Sequence, residues 1–155
     1  MVVDNEVFGT LTFDYTWSKN ELISFRGKEV SIAFLVAGDE DGDFEEGQYE
    51  AYKMLINKWS VLQDSILEAI LNYYKNKRRE LGYEIEPTER YPVITTTDQL
   101  LHHIMLVGIK IPYAKIYGGR SIGLSFDCTW DDENGLGIRL NNENVIEVGF
   151  QDIAI

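Results

Sequence analysis

One cysteine, three prolines and two histidines are the whole supply, in this chain, of the residues that most often staple, break or ligate. A lone thiol forms no intrachain disulfide, so a disulfide scaffold is excluded. Three prolines and 13 glycines among 155 residues exclude collagen-like and low-complexity chains. No apolar run approaches the roughly 18 residues that a membrane span needs, and the mean hydropathy is −0.20. The N-terminal MVVDNEVFG has neither the basic stretch nor the apolar core of a secretory signal. The expected location is therefore the cytoplasm, where Cys128 stays reduced. Basic residues are scarce as well: 14 against 26 acidic ones, a net charge of −12. That balance argues against nucleic acid and membrane surfaces as partners. What is present is a 45% hydrophobic, 12% aromatic composition, enough for one domain over residues 1–155 that buries roughly 70% of its unfolded surface.

The apolar pattern predicts an α+β fold, an antiparallel-rich sheet drawn from both chain ends, with a long helix and a short helix packed on one face. Val7, Leu11, Phe13, Tyr15 and Trp17 share one phase of a strand. Ser18-Lys19-Asn20 then reads as a turn, followed by strands over Leu22–Arg26 and Glu29–Ala37 joined at Gly27-Lys28. From Tyr52 to Tyr73, Leu55, Ile56, Trp59, Leu62, Ile66, Ala69 and Ile70 recur at three- or four-residue spacing, the stripe of an amphipathic helix over Gly47–Leu81. Trp59, Ile66 and Ile70 are expected inside, and Lys53, Glu68 and Lys75 outside. Ser60-Val61-Leu62-Gln63 has the form of a capping box, so a break or kink is expected near Asn57–Ser60. Gly82 suits the helix end. Thr96 and Gln99 form another capping box, opening a short helix to about Ile104, and Val107–Ile111 reads as a strand. The plainest strand follows, with Ile122, Leu124, Phe126, Cys128 and Trp130 on one face and small or polar residues on the other. Leu136–Leu140 and Ile146–Val148 then close a hairpin across Asn141–Asn144.

Catalytic constellations are missing from the pattern. His102 and His103 are adjacent in the chain, so in a helix they point about 100° apart and cannot share a metal as residues three or four apart do. Cys128 lies in an apolar phase, where a thiol is a small hydrophobe with a raised pKa. No nucleophile elbow, zinc-protease, phosphate-loop or dinucleotide motif occurs, and no cofactor is expected. Between Gly38 and Glu50 lie seven acids and no base. Asp39, Asp41, Asp43 and Glu50 fall at the first, third, fifth and twelfth positions of a calcium loop, but Phe44 stands where that loop needs glycine, so no metal site is assigned. Tyr117-Gly118-Gly119-Arg120-Ser121 could place backbone N–H groups and an Arg around an anion, but two glycines before a strand read as a turn rather than an anion site. Asp127, Asp131, Asp132 and Glu133 surround Trp130 at the end of the strongest strand.

The stretch FDCTWDDENGLGIRL with VIEVGFQD after it resembles the C-terminal motif of an uncharacterised bacterial domain family, of the form Trp-Asp-x-Glu-His/Asn-Gly-x-Gly. The likeness extends to GQYEAYKML, LEAILNYYKN and Tyr91-Pro92. The resemblance implies a small cytoplasmic bacterial protein, and some members are similar to immunity proteins of polymorphic toxin systems. A histidine commonly precedes the first glycine of the motif; here that position is Asn134, so no titratable base stands there. The expected function is a non-enzymatic acidic binding protein, an immunity-type partner of a basic protein toxin, contacting it through Asp39, Asp41, Asp43, Glu45, Glu46, Asp131, Asp132 and Glu133. The alternative is a carboxylate-based enzyme or small-ligand domain with a site near Asp127–Glu133 and Arg120. The Trp130–Gly137 motif itself is expected to be chiefly architectural, with Trp130 in the core.

Overall fold

A computed structural model describes residues 1–155. Its elements are β1 (Val2–Asn5), β2 (Gly9–Asp14), β3 (Thr16–Phe25), β4 (Lys28–Val36), α1 (Glu46–Leu81), α2 (Thr97–Leu100), β5 (Ile104–Ile111), α3 (Ala114–Tyr117), β6 (Ser121–Cys128), β7 (Leu136–Asn141) and β8 (Asn144–Gly149). A single 3-10 turn, Gln151–Ala154, ends the order. The strands form one sheet in chain order. Each pair is antiparallel except β4 and β5, which run parallel and so need a crossing connection, supplied by α1 and α2. The fold is α+β, with the helical segment in the middle of the chain. No helix is long and apolar enough to cross a membrane.

Alternation sets the inner face. Ile32, Phe34 and Val36 of β4, Leu106, Ile109 and Ile111 of β5, Leu124 and Phe126 of β6, and Leu136, Ile138 and Leu140 of β7 are all buried beneath α1. Ile66, Leu67, Ile70 and Tyr74 of α1 are sealed on the same core. Ile66 and Ile70 are inside as expected, Trp59 only half so, with its indole N–H donating to the Ser24 carbonyl at 2.7 Å. Lys53, Glu68 and Lys75 are exposed.

Three local expectations are corrected. The helix runs unbroken through Asn57–Ser60. No proline or glycine interrupts Gln48–Leu81, and Gln63 is not a capping residue: its side-chain oxygen accepts the Arg26 N–H at 2.7 Å, holding the β3–β4 turn to the helix. The capping box that opens α1 is instead Glu45 with Gln48. Ser18-Lys19-Asn20 is not a turn but the middle of β3, paired with Leu35, Phe34 and Ala33. Lys19 lays its ammonium 5.2 Å from the Phe34 ring centroid and pairs with Glu21 at 3.4 Å, so its stem covers apolar surface while its charge is matched. The chain reverses earlier, at Tyr15, which has φ 65 and is 97% exposed although its letter continues the apolar alternation.

The third correction concerns the outer face of β6. Ser121, Gly123 and Ser125 are buried rather than solvated, because the chain after β8 folds back over β6 and β7 on the side opposite α1. A methyl at Gly123 would meet the Ala154 carbonyl oxygen at 2.2 Å, and one at Gly137 the Phe150 carbonyl oxygen at 2.4 Å. The absent side chains are the room in which the C-terminal turn sits.

Candidate functional site

Because β4 and β5 are parallel and β6 returns antiparallel, the two acidic clusters occupy opposite ends of the sheet. The Asp39–Glu46 loop leaves the end of β4, whereas Asp131–Glu133 follow the end of β6. Roughly 26 Å separates them along the eight residues of β5. The structure therefore groups Asp39, Asp41, Asp43, Glu45 and Glu46 in one loop, and places Asp131, Asp132 and Glu133 away from it.

The loop is clipped at both ends and pinned between. Gln48, fully buried, donates its side-chain amide to the Ala37 carbonyl at 2.7 Å, closing the base of the loop. The Trp17 indole N–H donates to the Asp39 carbonyl at 2.7 Å. Phe44 enters the core edge-on to Phe8, Trp17 and Tyr49. Asp41 accepts the Asp43 N–H at 2.9 Å, Asp39 accepts the Tyr113 hydroxyl at 3.0 Å, and Glu45 accepts the Ala114 N–H at 2.8 Å. Desolvation and the hydrogen bond from its hydroxyl to Asp39 raise the Tyr113 phenol, with the Asp39, Glu45 and Asp41 charges adding to the shift. The side chains of Asp43 and Glu46 are exposed and accept no hydrogen bond. Sequence pattern marks the charge of this loop, but not that Phe44, Gln48 and Trp17 fix its shape.

At the other end, the Trp130–Gly137 stretch is a joint between distant segments. The Trp130 ring lies 4.6 Å from the Tyr74 ring centroid, and the Tyr74 hydroxyl, pushed up to about 12 by burial, donates to the Pro92 carbonyl at 2.6 Å. Arg90 donates to the Trp130 carbonyl at 2.7 Å and sits 3.6 Å from Asp132. Gln151 donates its backbone N–H to the Asn134 carbonyl at 3.0 Å and its amide to the Phe126 carbonyl at 3.1 Å. Gly135, with φ 63, lets the chain turn beside Gln151. Asp131 faces its own turn, accepting the Asn134 N–H at 3.0 Å and the Asn134 amide at 3.1 Å. Partial burial acts to raise this carboxyl, but the Asn134 donors, Arg90 and the Glu133 N–H hold it below its ordinary value.

The remaining candidates are equally committed. Cys128 is buried, and burial pushes its thiol up to about 11. His103 meets the Thr129 hydroxyl at 2.9 Å, and burial together with His102 holds its pKa down. Arg120 lies at the far end of β6 from Asp127 and forms a two-pronged pair with Glu143 at 2.7 and 2.8 Å; that bond holds the Glu143 carboxyl down. No three His, Cys, Asp or Glu side chains converge on a common point where a metal could sit. None of five cavities at the surface is lined by two acidic side chains.

What these observations define is an eight-stranded α+β domain whose motif-rich end is a structural joint and whose other end carries an ordered acidic loop. Residues 7–155 match the family described as a domain of unknown function, DUF6985, and the chain belongs to that family. Neither a curated protein nor a solved structure matches the chain.

Proposed function

We propose that this protein is a non-enzymatic binding protein that presents the Asp39–Glu46 loop to a basic protein partner, as an immunity-type protein of the bacterial cytoplasm does to a toxin. The observation that carries the reading is the contrast within the loop. Its backbone is fixed by Trp17, Phe44 and Gln48 while Asp39, Asp41, Asp43 and Glu46 stay exposed. A connection that served only to join β4 to α1 needs no such anchoring. A preordered loop loses little conformational freedom when a partner docks, and a field of one sign speeds encounter with a basic surface. No base occurs in the chain between Gly38 and Glu50. Nucleic acid and anionic membranes are disfavoured partners for the same charge. The carboxylate-enzyme alternative near Asp127–Glu133 has less support: Asp131 is turned on its own backbone, Asp132 is exposed beside Arg90, and Asp127 stands apart.

The test is co-purification of the full chain with bacterial lysate, or co-expression with the product of an adjacent toxin gene, followed by affinity measurement across salt. The expected partner is basic, and its association constant falls about tenfold or more between 50 and 200 mM salt, as screened charge pairs require. A neutral or acidic partner with salt-independent affinity overturns the reading.

A further inference from the structure

On the outer face of the sheet, the register aligns Lys110 of β5, Gly123 of β6 and Arg139 of β7 in one row. The Ala154 backbone fills the space the glycine leaves, and the two cations' backbones stand roughly 10 Å apart across three strands. Beside that row is a cavity of about 270 Å³ walled by α3 on one side and by Ile153–Ile155 on the other. We infer that this cavity is a binding site for a small organic anion, an oxyanion carried on an apolar body about the size of one aromatic ring.

Its charge is the first argument. The chain has nearly twice as many acids as bases, yet the 13 residues lining this cavity include Lys110 and Arg139 and no acidic side chain. Lys110 is half-buried and makes neither an ion pair nor a side-chain hydrogen bond, although most of the ion pairs elsewhere serve partly buried cations. Arg139 is placed rather than loose: its guanidinium stacks 3.7 Å from the Tyr117 ring centroid and reaches Glu147 at 3.1 Å. One of its five N–H groups is engaged there, and others remain to meet an oxyanion. With Glu147 matching one of the two cations, the row carries one unmatched positive charge.

Its apolar lining is the second. Eight of the 13 lining residues are hydrophobic, with Ile122 and Pro112 among them. Ile116 and Tyr117, on α3 at the rim, are 60% and 41% exposed. A ligand with an apolar body would bury these side chains, and one with a single anionic group would meet Lys110 and Arg139 in the cavity wall. The volume exceeds the ~150 Å³ of a cavity that holds benzene and lies just under the ~300 Å³ at which drug-sized sites begin. The cavity adjoins the base of the acidic loop, since Ala37 and Tyr113 line it and Tyr113 donates to Asp39, and nothing in its chemistry demands catalysis.

The experiment is an amide-resolved NMR titration of the full chain with four one-ring probes: benzoate, phenyl phosphate, benzyl alcohol and benzylamine. At least one anion should give saturable shifts at Lys110, Tyr117, Gly123 and Arg139, with benzyl alcohol and benzylamine weaker by about tenfold or more. Whether benzoate or phenyl phosphate binds more tightly decides between a carboxylate and a phosphate ester. Lys110→Gln should weaken the tighter anion by about tenfold, and Lys110→Arg should restore it. The site is overturned if neither anion saturates these amides up to about 10 mM, if benzyl alcohol or benzylamine binds as tightly as the anions, or if Lys110→Gln leaves anion binding unchanged. The probe series uses the parent protein, so it decides the question even where a variant folds poorly.

Discussion

Asp131 has the residue type of a catalytic group and stands in the most distinctive stretch of the chain, yet its oxygens serve the Asn134 N–H and amide. Its folded pKa lies below its ordinary 3.8, so as pH falls the unfolded chain takes up the proton first. The stabilisation is whole above that ordinary value and is lost as pH falls through the lower folded one. Asp131→Asn should therefore lower the melting temperature at pH 7, and its stability should fall less steeply than the parent's below about pH 4. Parallel acid limbs in thermal melts of the two proteins would remove Asp131 from this role. Trp130 follows the same logic. Its phase with Ile122, Leu124, Phe126 and Cys128 already indicates the core, and it is 2% exposed. What the letters could not show is its partner, Tyr74, which is 56 residues distant and whose ring meets it only because α1 returns along the sheet.

At the scale of elements, α1 carries the largest share of the core. Ile66 is fully buried with no polar group to receive a charge, so Ile66→Asp should cost on the order of 4 kcal/mol; a urea midpoint equal to the parent's would show the helix phase to be wrong. The stripe was legible from three- and four-residue spacing, but its centre was not. Leu67, Leu71 and Tyr74 are buried, while Ile56 is 52% exposed, because α1 meets sheet residues along a line that only tertiary contact defines. Strand alternation was likewise legible in β4 and β6. It failed at Tyr15 and at Ser18–Asn20, where a reversal at positive φ and a Lys–Glu pair on the inner face reverse the usual meaning of the letters. The C-terminal turn gave a fainter signal: Gly108, Ser125, Gly137 and Gly149 register across β5 to β8 as one row of small residues. Ile153 packs over its Gly137 and Gly149 end. Gly137→Ala should lift the turn and speed hydrogen exchange at the Gln151 amide. Gly108→Ala, whose methyl meets only ordinary contacts at 3.5 Å, should leave that amide protected. Equal exchange in the two variants would mean the turn does not depend on the glycine.

For the whole molecule, the order of strands separates the Trp130 joint from the acidic loop. The Trp130 end gathers α1, Pro92, the β6–β7 turn and Gln151 into one joint, and the Asp39 end holds an anchored acidic loop. Net charge was visible in the composition; its division between two ends was not, since it follows from β4 and β5 being parallel. The measurement that tests this division most directly is the affinity of the identified partner for three proteins, by titration calorimetry at low salt and at a temperature where each is folded. These are the parent, a loop variant with Asp41→Lys and Asp43→Lys, and a far-end variant with Asp132→Lys and Glu133→Lys. The loop variant should bind at least about tenfold more weakly, as two reversed charges at a docking surface require, and the far-end variant should match the parent. Full affinity in the loop variant, or its loss in the far-end variant alone, would contradict the account and return the Trp130–Gly137 stretch to the binding surface.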